Sequence, residues 1–327
     1  MNQEAFQARH EGDWIAFENW LKTVTARRVR GQAATASPGE ETVAHRYRVL
    51  CQHLALARDR QYSPGLVERL NALVMRGHQV LYGAHTETGP AVARFFAADF
   101  ARAVRKQWRP IALAAALFFV PLFAVAAAIQ IWPDLIHTLL PQKQILTYQE
   151  MYDPANKRPG QRPAQADTFM LGHYIYNNIK IGFQTFAGGL LFGLGSAFYL
   201  TTNGVLIGAT AGHLIQIGFA TSFLGFVAGH SALELSGIVL MGGAGLMLGS
   251  ALLLPGQLAR VSALRVKARA AVPLVYGAGA LLTLAALVEA FWSPVAQFPP
   301  ALKYAVGLAL WLLLVTYFLL AGRLRAD

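Results

Sequence analysis

The stretch from Asn177 to Gly249 decides the fold of this chain, and it reads NNIKIGFQTFAGGLLFGLGSAFYLTTNGVLIGATAGHLIQIGFATSFLGFVAGHSALELSGIVLMGGAGLMLG. It is apolar, rich in glycine and nearly free of charge. A membrane-spanning helix needs about twenty apolar residues, so the stretch has room for three of them. We predict that Asn203-Gly204 and Gly229-His230 are the turns that divide it. The sequence therefore indicates a protein that crosses a membrane several times.

Further apolar segments on both sides of this stretch raise the predicted number of spans to about six. The fold class is all-α, a polytopic helical membrane protein whose membrane domain covers 110–327. The predicted spans are about 111–132, 179–200, 205–226, 232–254, 272–292 and 304–320, with a polar outer loop over 133–176. A count of five, with the third and fourth segments partly re-entrant, is the alternative.

Residues 1–109 are predicted to form a small cytoplasmic helical domain. Apolar residues recur there at steps of three and four, which is typical of amphipathic helices. The first such helix carries Phe6, Trp14, Phe17 and Leu21, and residues 31–40 form a loop. A second helix carries Val43, Tyr47, Leu50, Leu54 and Leu56 on one face. A third begins at Ser63-Pro64 and stops near Gly83, and a fourth runs from Pro90 to Trp108.

The net charge of +11 follows a membrane topology. Most of the Lys and Arg residues lie before residue 110, directly after Leu254 and at the C-terminus. Cytoplasmic loops of membrane proteins carry such an excess of basic residues, so we predict that both termini lie in the cytoplasm. The basic residues are not interleaved with aromatic ones, so no nucleic-acid partner is expected. The N-terminus also lacks the pattern of a cleaved signal peptide.

The sequence carries no catalytic motif, and we predict a protein that is not an enzyme and needs no cofactor. Serine-hydrolase, nucleotide-binding and zinc-protease patterns are all missing. The one cysteine, Cys51, excludes an internal disulfide. The irregular spacing of His45, His53, His78 and His85 gives no metal site.

Polar residues inside the predicted spans form the candidate functional site. Asn177, Asn178, Gln216, His230 and Glu234 are expected toward the outer leaflet, with His213 one turn below Gln216. Ionisable groups in a membrane are costly and mark a function by default. The alternative is structural, because Glu234 follows Ser231 at the spacing of a helix-capping box and can bond His230.

Zinc at His230 and Glu234 lacks a third ligand by spacing, so no metal is predicted. Glu289 is expected near the outer interface beside Lys303.

Small residues recur at four-residue spacing in the central stretch, where glycines form five GxxxG pairs. In lipid, close approach of helix backbones replaces the hydrophobic effect as the source of packing. Packing among the spans of one chain is the simpler interpretation, and a homo-oligomer is the other. The predicted packing residues are Gly189, Gly193, Gly204, Gly208, Gly212, Gly225, Gly229, Gly245 and Gly249.

The order of these features resembles the stage II sporulation protein M family. Asn177-Asn178 opens a span, Asn203-Gly204 follows, and His230-Ser-Ala-Leu-Glu234 precedes a small-residue run at 242–245. Gly229-His230-Ser231 stands where the family more often has Pro-His-Gly. Trp14, Tyr47-Arg48, Leu54-Ala55, Arg58 and the segment 76–82 extend the resemblance into the first hundred residues. The resemblance implies a membrane fold in the bacterial inner membrane and a role in assembly, since the namesake is thought to hold peptidoglycan-degrading proteins during engulfment.

Two functional hypotheses follow. The first is a non-enzymatic protein that organises cell-envelope or peptidoglycan-remodelling machinery in the lipid bilayer. Its partners would be envelope enzymes at the outer loop and, as genes beside those of family members suggest, a cytoplasmic ATPase of the MoxR type. The second is a transporter or channel for a small solute or ion, with the polar residues of the outer leaflet along its path.

Overall fold

The structure, a computed structural model, describes residues 2–29, 40–82, 88–155 and 164–323. Every regular element in these ranges is a helix. The chain forms two compact units, Met1–Thr88 and Gly89–Asp327. The boundary between them therefore lies before the domain end at residue 109 that the sequence suggested.

The first unit contains three helices, α1 (Gln3–Val29), α2 (Glu40–Asp59) and α3 (Pro64–Tyr82). The predicted apolar faces form its core, except that Leu56 is 39% exposed. Residues 31–39 of the predicted loop and Gly83 lie outside the described residues. The buried core consists of Phe6, Trp14, Phe17, Leu21, Leu50, Leu54, Ala57, Leu66, Leu70 and Leu73.

The second unit begins with a short helical run before the first long apolar helix. It consists of α4 (Thr88–Arg94), a π-helical segment (Phe95–Asp99) and α5 (Phe100–Lys106). Phe100 is buried, and its ring lies where a side chain at Gly277 would otherwise stand. The predicted fourth helix therefore exists, but it packs within the second unit.

Eight further α-helices complete the second unit: α6 (Trp108–Ile131), α7 (Ile136–Leu139), α8 (Gln142–Tyr152), α9 (Ala164–Ala187), α10 (Leu194–Gln216), α11 (Ala220–Leu253), α12 (Arg260–Phe291) and α13 (Pro300–Leu320). Four of them, α6, α11, α12 and α13, are long and apolar enough to cross a membrane. The most buried of these four is α11, which contacts α6, α9, α10, α12 and α13.

The predicted turn at Asn203 and Gly204 is wrong, since both lie inside α10. Asn203 Nδ2 donates to the Tyr199 carbonyl at 2.7 Å, and Gly204 faces the backbone of Phe118. The glycine thus serves a helix contact and not a turn. The chain turns instead at residues 191–193, where Phe192 and Gly193 have φ values of 55° and 83°.

The predicted turn at Gly229 and His230 is also wrong. Helix α11 continues through both residues from Ala220 to Leu253. Gly229 has no side chain because the ring of Trp292 fills that space. The preceding turn lies at residues 217–219, where Gly218 has a φ of 88°.

The predicted outer loop, 133–176, contains regular structure. It holds a 3-10 turn over Pro133–Leu135, then α7, α8 and the first half of α9. Ile136, Leu140 and Ile145 are buried against Ile129 of α6 and Ala209 of α10. Apolar side chains therefore fix the part of this segment before residue 146 on the helices below it.

The glycines predicted to pack helices lie in contacts within the chain. Gly189 faces Gly245 and Gly193 faces Gly249, so the turn after α9 lies against α11. Three glycines of α10 (Gly204, Gly208 and Gly212) meet the backbone of α6 at Phe118, Leu122 and Ala126. Gly225 has the most space around it among these glycines, because the nearest atom to a Cβ added there is Lys303 Cδ at 3.8 Å.

Candidate functional site

Three ionisable side chains from two helices meet inside the second unit. His230 and Glu234 lie one turn apart on α11, and Glu289 lies near the end of α12. One nitrogen or oxygen from each of the three lies within 4.8 Å of the other two, and His230 Nε2 is 3.7 Å from Glu234 Oε2. We call these three residues the His-Glu-Glu cluster.

Small residues on α11 allow α12 to approach closely enough to form this cluster. Gly229 receives the Trp292 ring, and Gly237 receives the side chain of Leu282. On α12, Leu282, Ala285 and Glu289 follow each other at helical spacing, so they share the face that packs on α11. Helix geometry thus directs the carboxyl group of Glu289 into the interface.

Hydrogen bonds hold the imidazole of His230 in place. Its Nδ1 lies 3.0 Å from Ser293 Oγ, and both residues are buried. Lys303 Nζ donates to the Ser293 carbonyl at 2.8 Å, which fixes the backbone between α12 and α13. One ring nitrogen of His230 is therefore engaged by the serine, while the other faces the two carboxyl groups.

Aromatic rings from α8 and α11 cover the cluster. Phe226 lies one turn before His230, with their ring centroids 5.5 Å apart. Tyr152, the last residue of α8, packs edge to face on Phe226 and on Phe223. Helix α8 therefore ends beside the His-Glu-Glu cluster.

Two polar atoms beside the cluster lack a hydrogen bond. Asn178 of α9 is 1% exposed, and its side chain lies against the carboxyl group of Glu289. Within the described residues, neither Asn178 Nδ2 nor Glu289 Oε2 has a hydrogen-bond partner. Buried polar atoms are satisfied in the great majority of cases, and this donor and this acceptor lie on neighbouring side chains that a small rotation would pair.

The structure brings together some of the predicted site residues and separates others. His230 and Glu234 lie together, and Asn178 lies against Glu289, the third member of the cluster. Asn177 and Gln216 are exposed. His213 is buried elsewhere, with its Nε2 2.9 Å from Gln149 Nε2.

The predicted capping role of Glu234 is wrong. It lies fourteen residues into α11, where backbone N–H groups already have partners in the preceding turn. Ser231 is likewise inside the helix, and its Oγ accepts a hydrogen bond from Trp311 Nε1 at 3.2 Å. The carboxyl group of Glu234 is thus free to serve the cluster.

Glu289 is the site residue that sequence reasoning misplaced. It was expected beside Lys303, but the Lys303 ammonium group bonds the Ser293 carbonyl instead. Its place in the sequence could have indicated this position. Glu289 comes seven residues after Leu282 and four after Ala285, so it shares a helix face with small and apolar residues. Glu289 supplies the third group that His230 and Glu234 lacked by spacing.

Histidines of the first unit belong to its core or to its surface. His53 is buried, and its Nδ1 accepts a hydrogen bond from Trp14 Nε1 at 3.1 Å. The ring of His10 lies 4.0 Å from that of His53. His45 and His78 are exposed, and His85 lies outside the described residues.

Comparison with known protein families agrees with this division of the chain. Residues 114–294, more than half of the chain, match the model of the family described as Stage II sporulation protein M. Residues 4–83 match a second model, described as a domain of unknown function (DUF8413). No curated protein and no solved structure gives a significant match.

Proposed function

Since the chain belongs to the Stage II sporulation protein M family, we propose that it is a non-enzymatic inner-membrane protein that organises cell-envelope or peptidoglycan-remodelling machinery. In this proposal residues 1–109 face the cytoplasm and bind a partner such as an ATPase of the MoxR type. The outer segment, 133–176, faces the envelope and binds the enzymes that act there.

The proposed topology has six crossings by α6, α9, α10, α11, α12 and α13. Arg105, just before α6, donates to the carbonyls of Phe318 and Ala321 at the end of α13, at 2.6 and 2.7 Å. The chain therefore enters the bundle beside the point where it leaves, which favours an even number of crossings. Basic residues precede α6, begin α12 and follow α13, which favours the cytoplasm for that end.

The observation that carries the assembly role is the packing of α7 and α8, the described helices at the start of the outer segment. Ile136, Leu140 and Ile145 anchor it on α6 and α10. Between these anchors, His137 and Lys143 are exposed, and so are Leu146 and Thr147 directly after the last anchor. A helical segment fixed on a rigid bundle presents a defined surface without the entropic cost of ordering a loop.

Site-specific crosslinking in intact cells tests this role. A photoreactive residue at Lys143 should capture a reproducible set of envelope enzymes, identified by mass spectrometry. The matched control is the same residue at Leu312 of α13, which is 60% exposed on a helix we propose to face lipid. Capture of the same proteins from both positions, or of none from Lys143, would contradict the assembly role.

A homo-oligomer is a separate part of the proposal. The paired glycines that suggested an oligomer lie in contacts within the chain. The remaining support is that α6 and α13 are weakly buried, so their exposed faces can contact either a second copy of the chain or lipid. Crosslinking in native membranes decides between the two. A dimer or larger species supports the oligomer, and monomer alone would rule it out.

A transporter or channel is the second candidate function, and the buried His-Glu-Glu cluster favours it. Ionisable residues that face a bundle interior mark ion and proton pathways in many membrane proteins. The test is Glu234→Gln in reconstituted vesicles, with Asp134→Asn, an exposed acid on the outer segment, as the control. Transport requires wild-type flux that only Glu234→Gln abolishes while assembly persists. Intact wild-type protein without flux of protons or metal ions would count against it.

A further inference from the structure

We propose that His230, Glu234 and Glu289 bind a divalent transition-metal cation of the zinc class, with Asn178 and Ser293 as positioning residues. This inference does not depend on the assembly role or on transport. It rests on the donor set, on the charge balance of the cluster and on the unpartnered amide beside it.

The donor atoms lie near the distances that a metal requires. Zinc binds imidazole nitrogen and carboxylate oxygen at about 2.0–2.2 Å, which places two tetrahedral ligands about 3.4 Å apart. His230 Nε2 and Glu234 Oε2 are 3.7 Å apart, and all three donors lie within 4.8 Å of one another. A shift of about 1 Å in a glutamate side chain, well within rotamer freedom, completes the three-ligand set.

The charge of the cluster matches a cation of charge +2. Two carboxylates without a nearby counterion are expensive to bury. The neighbouring ammonium group, on Lys303, is directed at the carbonyl of Ser293. A divalent ion held by both glutamates neutralises them. The alternative is that protons shared by the carboxyl groups neutralise them, and the experiment below distinguishes protons from a metal ion.

Asn178 provides a hydrogen-bond donor that can position Glu289 as a ligand. It is 1% exposed and unpartnered at Nδ2, and it lies against the Glu289 carboxyl, whose Oε2 is also unpartnered. A small rotation lets the amide donate to Glu289 Oε2 and leaves the other oxygen for the metal. Such bonds to the outer oxygen of a carboxylate orient it and raise metal affinity.

Ser293 has the corresponding role for the imidazole. A histidine that binds a metal through one nitrogen donates its other N–H to a fixed acceptor in almost all known sites. Ser293 Oγ lies 3.0 Å from His230 Nδ1 and is held by the bond from Lys303 to the same residue. With Nδ1–H donating to the serine, Nε2 presents its lone pair to the cluster.

The presence of an imidazole selects the class of ion. Magnesium and calcium prefer sites made of oxygen alone. Imidazole together with carboxylate suits zinc and the neighbouring transition metals. We therefore expect zinc to bind more tightly than magnesium or calcium, whose binding should be weak.

The test is metal binding by the full chain purified in detergent. After removal of metals by a chelator, the wild type should bind about one zinc ion per chain in competition with a fluorescent zinc indicator. Glu289→Gln and His230→Gln should lose this ion. Asn178→Ala should keep it with an affinity about 10–100-fold weaker. The control, His137→Gln, changes an exposed histidine of α7 and should bind as the wild type does.

The spectrum of the bound zinc makes the test independent of variants that fail to fold. X-ray absorption of the wild type should show nitrogen and oxygen ligands with one imidazole. Sulfur in the first shell would place the ion at Cys51, the one cysteine, and would overturn the proposal. Wild-type protein that binds no more zinc than Glu289→Gln would also overturn it, and would leave shared protons as the state of the cluster.

Discussion

The two units of this chain are built from helices, but their cores are made differently. In the first unit, large side chains such as Trp14, Phe6 and Phe17 fill the space between three helices. In the second unit, several helices meet through glycines, and Gly245 approaches Gly189 with no side chain between the two backbones. A buried glycine of the first unit, Gly77, differs from these, because the atoms nearest to a Cβ there belong to the rings of Phe17 and Tyr47 and not to a backbone.

This difference follows from the solvent that each core has to exclude. In water, burial of apolar side chains drives helices together, and larger side chains contribute more. Between helices surrounded by lipid that driving force is absent, so close backbone contact and hydrogen bonds replace it. Deletion of a large side chain should therefore cost most in the first unit, and addition of a side chain at a packed glycine should cost most in the second.

The largest expected effect is that of Trp14→Ala in the first unit. The change leaves a cavity and removes the donor to His53 Nδ1, so the free energy of unfolding of this unit should fall by about 3–5 kcal/mol. Hydrogen exchange of peptides from α2 and α3 in the full chain measures it. Ile15→Ala, at a neighbour that is 46% exposed, should change it by less than about 0.5 kcal/mol. Equal effects at both positions would show that the first unit does not depend on its large buried side chains.

Gly245→Ala should have the next largest effect, this time in the second unit. The added Cβ would lie 2.7 Å from the Phe186 carbonyl oxygen and 2.9 Å from that of Thr185, and backbone atoms cannot move aside cheaply. We expect a loss of about 3 kcal/mol from the free energy of unfolding in detergent.

The matched control for that change is Gly279→Ala, on α12. A Cβ at Gly279 meets nothing within 4 Å, and alanine favours a helix over glycine by up to about 1 kcal/mol. This variant should be as stable as the wild type or slightly more stable. Destabilisation of both variants to the same extent would show that the second unit does not depend on specific backbone contacts.

Arg105→Ala tests a polar contact of the second unit. It removes two charge-assisted hydrogen bonds to the carbonyls of Phe318 and Ala321, each of which contributes about 1.5–3 kcal/mol at most. We expect faster hydrogen exchange at the end of α13, with the rest of the unit unchanged. Lys106→Ala, at an exposed neighbour, should leave the exchange of α13 as it is.

The smallest expected effect is the pH dependence of the first unit. Burial lowers the pKa of His53 below its usual value, with a further lowering from His10 that Asp13 opposes. The folded state therefore binds fewer protons than the unfolded state. Stability is complete above about pH 6.5 and falls as the pH drops below that value, by at most about 1.4 kcal/mol per pH unit.

Hydrogen exchange corrected for the intrinsic rate, at pH 7.5 and 5.5, measures this loss in the first unit. His53→Gln should reduce the difference between the two pH values, because glutamine can still accept from Trp14 but does not titrate. His45→Gln, at an exposed histidine, should leave the difference unchanged. A first unit that is more stable at pH 5.5 would contradict the sign of the His53 pKa shift.

The candidate site was predictable where it depends on one helix. His230 and Glu234 are four residues apart, so any helix through them places both on one face. Glu289 was misplaced because its partners come from α11 and α9, and spacing along the chain carries no information on which helices meet. Gln216 and Asn177 were included by depth in the membrane alone, whereas rotation of each helix about its axis turned them outward.

The sequence by itself determined that this protein is helical and apolar enough to cross a membrane, because composition and periodicity act locally along the chain. It also determined the core of the first unit, since apolar residues at helical spacing have one buried face in water. Tertiary structure alone decided the function of the glycines. Asn203-Gly204 and Gly229-His230 read as turns, but Phe118 and Trp292 approach those glycines and require continuous helices there. A residue without a side chain permits either a turn or a close contact, and only the neighbour that occupies the space decides which one forms.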